Sequence, residues 1–243
     1  MTLSMVPDWR GETCFILGGG PSLTGFDATS IIGFPTIAIN EAGLTLAPWA
    51  DILFWSDDHW LEWNKDRLAL HYGGRKIYRH LGAVHGAHHI KFRHTTREGI
   101  HWGSNAVGGC DSGSSAINLA LHTGAKVIVL LGFDMSDGGQ NNFHDRHREP
   151  HDPQVVTDRF IPAHNAMAAD IASRGYPVKV LNATPVTRLT CWPKIDLEEA
   201  ISAYSSVRSE EWRNLHSRVG PQVAGPSSGQ SVGAASVSMF LGH

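Results

Sequence analysis

The sequence predicts an α/β protein, a doubly wound and mostly parallel sheet with helices on both faces, and three observations predict it. Short apolar runs rich in β-forming residues alternate with stretches whose apolar residues recur at helical spacing. One run, "AKVIVLLGFD" at 125–134, is apolar almost throughout, as a strand covered on both faces must be. Polar residues gather just beyond strand after strand, where an open parallel sheet binds its ligands.

Taken in order, Thr13 to Leu17 reads as the first strand and "PTIAIN" (35–40) as the second. "ADILFWSD" (50–57) is a third, ending on acid, and "HWLEWNKDRL" (59–68) is the helix after it. "RKIYRH" (75–80) is a weaker fourth strand, and "HIKFRH" (89–94) an edge strand. "SSAINLALHTG" (114–124) has helical spacing and stops on Gly124, a common C-terminal signal. The apolar strand at 125–134 follows. "IPAHNAMAADIASRG" is the next helix, ending at Gly175, then "YPVKVLN" (176–182) a strand and "DLEEAISAY" (196–204) a last helix. From about His216 the chain turns to Gly, Ser, Val, Pro and Ala with little charge and no sustained period. This divides it into one Rossmann-like domain over 1–215 and a tail over 216–243 expected to be disordered.

Composition narrows the function. With 42% hydrophobic and 18% charged residues over 243 positions the chain can bury a proper core. A formal net charge of -3 gives no bulk attraction to nucleic acid or an anionic membrane. No apolar stretch approaches the roughly 20 residues that span a bilayer. "MTLSMVPDWRGE" has no apolar signal region, so a cytoplasmic protein is expected. Three scattered cysteines, Cys14, Cys110 and Cys191, make neither a disulfide framework nor a thiolate zinc site.

The strand ends nominate the pocket. They carry Gly18, Gly19, Gly20 and Ser22; Asn40; Ser56, Asp57 and Asp58; Gly132 and Asp134; and Asn182 and Thr184. In "FILGGGPSL" (15–23), glycines let a phosphate approach backbone amides, and Pro21 suits a first helical turn. The run lacks the third small residue of a dinucleotide fingerprint and the GK[ST] of a P-loop, so NAD binding and Walker-type ATP hydrolysis are disfavoured. Its bland reading is a tight strand-to-helix turn. Asp57 and Asp58 suit Mg²⁺, which takes one or two carboxylates with phosphate oxygens, while one of them alternatively caps the following helix. His144, His147 and His151 share a loop with Asp145 and Asp152, and "HGAHH" (85–89) is a second cluster. Acid–base or phosphate-contact work by His144, beside Asp134, is preferred to a zinc site, against the plain reading of solvent-exposed loop histidines. Trp55, Trp60 and Trp63 read as helix-packing aromatics before base-stacking ones.

"LGGGPSL", "IAIN", "DSGSSAINLALHTGAKVIVLLGFDM" and the histidine-bearing loop together resemble one superfamily over residues 13–200. It includes the bacterial sialyltransferases of glycosyltransferase family 42, the archaeal 6-hydroxymethylpterin diphosphokinase (MptE-like) proteins, and phage and prophage proteins. By this resemblance Asn40 matches the asparagine closing the second strand, and Ser112 and Gly113 match the pair lining the cytidine nucleotide. Gly19 stands where the sialyltransferases have asparagine, as does Ser56 or Asp57. The tyrosines beside the leaving phosphate are replaced within "NNFHDRH", and the base histidine falls among His147, His151 and His164. The diphosphokinase branch matches "GAKVIVLLGFDM…H" better, and its third strand also ends in aspartate.

The resemblance implies a transferase with a nucleotide-activated donor, a nucleotide-sugar or ATP. Donor phosphates are expected over Gly18, Gly19, Gly20 and Ser22, with base and ribose near Asn40, Ser112 and Gly113. His144, His147 and Asp134 are the expected catalytic groups, with Asp57 and Asp58 holding Mg²⁺. Sialyltransferase-like sugar transfer is preferred to Mg²⁺-dependent diphosphate transfer and to a non-catalytic nucleotide-binding accessory protein of a phage or prophage. The acceptor and any homo-oligomer are left open.

Overall fold

Seven parallel strands form the main sheet of the computed structural model, which describes residues 6–79, 86–92, 99–103, 106–136, 140–146 and 152–205. In chain order β1 (Thr13–Leu17), β2 (Thr36–Ile39), β3 (Ile52–Trp55), β4 (Arg75–Tyr78) and β5 (His88–His89) come first. β6 (Lys91–Phe92) and β7 (Ala106–Val107) pair with each other in a small second sheet. β8 (Val127–Leu131) and β9 (Lys179–Asn182) then rejoin the first, giving the order β5-β4-β3-β2-β1-β8-β9. The helices are α1 (Ala42–Thr45), α2 (Asp58–His71), α3 (Ser112–Thr123), α4 (Pro153–Val155), α5 (Ile161–Arg174) and α6 (Leu197–Ala203), with a π turn joining α4 to α5.

The continuous apolar strands are explained by cover on both faces. Side chains alternate across a strand, so Cys14 and Ile16 of β1 and Ile128 and Leu130 of β8 join the core under α3 and α5. Phe15, Leu17, Val129 and Leu131 join a second core with Leu23, Ile31 and Ala200. The tryptophans act as packing groups: Trp60 and Leu68 of α2 lie on Leu53 and Trp55, and Trp55 stacks on Tyr78 at 5.4 Å. Asp57, Asp111 and Asp196 cap α2, α3 and α6, while Gly124 and Gly175 end α3 and α5 in left-handed conformation.

Two expectations change. The edge strand at 89–94 is divided: β5 pairs with β4, whereas β6 pairs with β7, and Arg93 and His94 lie outside the described residues. The last strand begins at Lys179, not Tyr176, because the Tyr176 amide still closes the α5 turn on the Ile171 carbonyl. The proposed tail lies outside the described residues, as does everything after Ser205. Among the described residues no helix is long and apolar enough to cross a membrane.

The sheet's order reverses between β1 and β8. Strands β2 to β5 extend from one side of β1, and β8 and β9 from the other. Loops leaving the carboxyl ends of these two neighbours diverge to opposite faces and open a crevice.

Candidate functional site

A cavity of about 520 Å³ fills that crevice. Gly18, Gly19 and Gly20 after β1, Asn40 after β2, Asp57 and Asp58 after β3, and Asp134 after β8 all line it, with Ser112 and Gly113 from the start of α3. With Ser56 and Gly132, the structure brings together eleven of the residues nominated by strand ends and motif. Asn182 and Thr184 are instead structural: both are fully buried, and the Thr184 hydroxyl accepts the Phe133 amide at 2.9 Å.

The glycine turn is packed more tightly than a phosphate cradle requires. The Gly18 amide donates to Leu131, the Gly20 amide to Gly132, and the Ser22 amide and hydroxyl to Asp134 at 2.8 and 2.7 Å. An internal carboxylate thus takes the anion position at the Ser22 amide. A Cβ at Gly20 would lie 1.9 Å from Asp134 Oδ2, and one at Gly18 would lie 2.6 Å from the Gly132 carbonyl oxygen. These glycines are required by close approach, and Ser22 stands behind Asp134, where it lines a neighbouring cavity. Of the four residues expected to cradle a phosphate, Gly18, Gly19 and Gly20 line the cavity and Ser22 does not.

Asp134 is 8% exposed, and burial pushes its carboxyl above the usual value against the lowering effect of Ser22. Asp111, the α3 cap, goes the other way. Burial raises its carboxyl, but the neighbouring His164 imidazole and the Ser114 hydroxyl and amide outweigh this and hold it at about 2. His164 is fully buried, accepts the Trp192 indole N–H on Nδ1 at 3.2 Å, and turns Nε2 to Asp111 at 3.7 Å. It is a core residue behind the site.

Arg79 and Asp111 were not among the residues nominated from sequence. Arg79 follows β4 and lines the cavity, its Nη1 held by the Gly109 carbonyl and the Ser115 hydroxyl. Burial lowers its pKa, and the guanidinium remains a cation. Beside it the α3 capping box engages the Ser114 amide and leaves those of Ser112 and Gly113 without an intrahelical acceptor. The Ser112 hydroxyl meets that of Ser56, just after β3. Asn40 and Met135 are the two described non-glycine residues with positive φ, at 51° and 53°, and both line the cavity. Strain of this kind concentrates where function holds it.

Other nominations fare differently. His144 is half-buried, accepts the Arg146 amide on Nδ1 at 3.1 Å, and stands outside the cavity lining. His147 and His151 lie outside the described residues. Asp57 caps α2 by accepting the His59 amide at 2.9 Å, and Asp58 opens the helix. Among the described residues no three His, Cys, Asp or Glu side chains converge as a metal site.

No family model and no curated protein matches the chain. Two solved structures resemble it. The sialyltransferase CstII from Campylobacter jejuni, solved with a substrate analogue, cytidine-5'-monophosphate, is 16% identical with a TM-score of 0.49, over 76% of this chain and 85% of that one. The MAf glycosyltransferase from Magnetospirillum magneticum AMB-1 is 13% identical with a TM-score of 0.56, over 88% of this chain. The match spans 38% of that longer protein. At these identities the likeness is one of fold: the chain has a glycosyltransferase-like α/β architecture.

Proposed function

We propose that the chain transfers a glycosyl group from a nucleotide-activated donor to a hydroxyl-bearing acceptor. The observation that carries this is the pairing, in one switch-point cavity, of Arg79 and the amides opening α3 with a buried carboxylate whose pKa is raised. Arg79 and the Ser112 and Gly113 amides receive the donor phosphate, with the Gly19 amide at the other side. Asp134 takes the proton of the acceptor hydroxyl as its oxygen bonds to the anomeric carbon. The bond from that carbon to the phosphate oxygen breaks, and its electron pair leaves on the phosphate. A carboxyl raised by burial is a stronger base than an exposed aspartate, which suits it to this step.

Asp57 and Asp58 side by side on the cavity wall support a second reading, Mg²⁺-dependent diphosphate transfer. A single assay separates the two. Nucleotide release is measured from CMP-, UDP- and GDP-activated sugars, and AMP release from ATP, with and without chelator. Glycosyl transfer predicts release from an activated sugar that survives chelation, drops about 10²-fold or more in Asp134→Asn, and persists in His144→Ala. Chelator-sensitive AMP release lost in Asp57→Asn replaces it with the second reading. Nucleotide binding with no turnover of any donor leaves a non-catalytic binding protein.

A further inference from the structure

Among the described residues, buried carboxamide oxygens are satisfied, with two exceptions in one place. Asn64 donates to the Trp60 carbonyl and accepts from Arg67. Asn118 accepts the His101 and Gly108 amides and donates to the His101 carbonyl. Asn182 accepts the Thr184 amide and donates to Thr187. By contrast, Oδ1 of Asn40 and Oδ1 of Asn141 are buried without a hydrogen-bond partner, and both residues line the switch-point cavity. A buried acceptor left unpaired is costly, and such groups persist where a ligand supplies the donor.

Asn141 is also held in place. It belongs to the segment 140–146, whose Phe143 amide donates to the Gly19 carbonyl at 3.0 Å, so the segment is fastened directly over the glycine turn. Its far end is tied to Glu41, which is 1% exposed and bound through both oxygens to Arg67 at 2.7 Å. Arg146 Nε reaches the same carboxylate at 3.4 Å. The carboxylate thus takes two hydrogen bonds from Arg67 of α2 and a longer ion pair from Arg146 of the loop, whose side chain is 56% exposed.

We infer that residues 140–146 are a clasp in which Asn141 is a specificity-determining residue for the nucleoside, and Glu41 with Arg146 are its positioning pair. This rests on the nucleotide reading above. Asn40 follows β2, and the clasp lies over the turn after β1. An ionised phosphate only accepts hydrogen bonds, so the part of a bound nucleotide that meets these two oxygens is its nucleoside. The two orphaned oxygens select a hydrogen-bond donor there, a ribose hydroxyl or a base N–H.

The test is a double-mutant cycle on the full chain, titrated with CMP, UMP, AMP and GMP and their 2′-deoxy forms. For the nucleotides that bind, Asn141→Ala and Arg146→Ala are each expected to weaken binding about 10-fold. The double variant is expected to weaken it no further, since both act on one contact. Arg146→Lys recovers part of the loss, and thermal unfolding shows each variant folded. A loss that disappears with the 2′-deoxy forms assigns the ribose hydroxyl as the donor; a loss confined to particular bases assigns the base. Unchanged affinity in Asn141→Ala, or losses that multiply in the double variant, overturns the inference while the nucleotide reading stands. Absence of binding by the parent to every probe overturns both.

Discussion

Two aspartates at the cavity, Asp134 and Asp111, are driven in opposite directions by their surroundings, and stability should follow each differently with pH. Asp111 is lowered in the fold, so its contribution is fully present above the unfolded value near 3.9 and is lost as pH falls through about 2. Asp111→Ala removes the α3 cap and leaves the His164 N–H facing no acceptor, an expected loss of about 2–4 kcal/mol in denaturant unfolding at pH 7. Asp134 is raised, so ionising it costs stability, an effect absent below the unfolded value and complete above the folded one. Asp134→Asn should therefore leave the Tm at neutral pH undiminished while turnover collapses. A marked drop in Tm would assign Asp134 a structural part instead. The turnover of the parent should fall on the acid side at a pH above the usual carboxylate range, since the base must be ionised. None of these shifts was legible in the sequence. Whether an aspartate is raised or lowered depends on what is folded around it, here burial that outweighs Ser22 at Asp134, and His164 with Ser114 that outweigh burial at Asp111.

Among the elements, α3 carries the proposed anion wall; the sequence reading began it at Ser114, two residues inside its start at Ser112, although a local signal marks that start. Asp-Ser-Gly-Ser before an apolar helical stripe is a capping signal, and the structure realises it with Asp111 and Ser114. Proline is tolerated in the first helical turn, and Asp111 already has the extended backbone that a following proline requires, at φ -125° and ψ 172°. Ser112→Pro should hence keep the fold but remove one amide from the anion wall, weakening nucleotide binding beyond Ser112→Ala, which keeps the amide. Equal affinities for the two variants, measured by calorimetry, would place the phosphate elsewhere. The glycine turn shows the converse. "LGGGPSL" marks a turn at the sheet's switch point, but the sequence does not say what lies above Gly20. Asp134, more than a hundred residues away, fills that space, so Gly20→Ala should displace a carboxylate and lower activity and stability together. Arg79 was missed because one arginine after a weak strand has no local signature; only the arrival of α3 beside it gives it meaning.

For the molecule as a whole, the alternation of strand and helix was sufficient to predict the doubly wound sheet, because burying both faces leaves an apolar period-free run such as 127–131. The short β5 and β6 were read as one edge strand, and β7 and the helices α1 and α4 were not read, since two to four residues carry no period. The cavity depends on this larger order. It joins residues from β1, β2, β3, β4, α3 and β8, whose only common property along the chain is to follow a strand or open a helix. The claim on which the rest depends is that a nucleotide occupies it with its phosphate on the Arg79 wall. The most direct measurement is a crystal structure of the chain soaked with CMP, UDP and GDP. The account predicts phosphate oxygens within about 2.7–3.2 Å of the Arg79 guanidinium and the Ser112 and Gly113 amides, with the nucleoside toward Asn40 and Asn141. Density for the nucleotide in the neighbouring cavity beside Ser22 and Lys194, or none at saturating concentrations in the switch-point crevice, would contradict it.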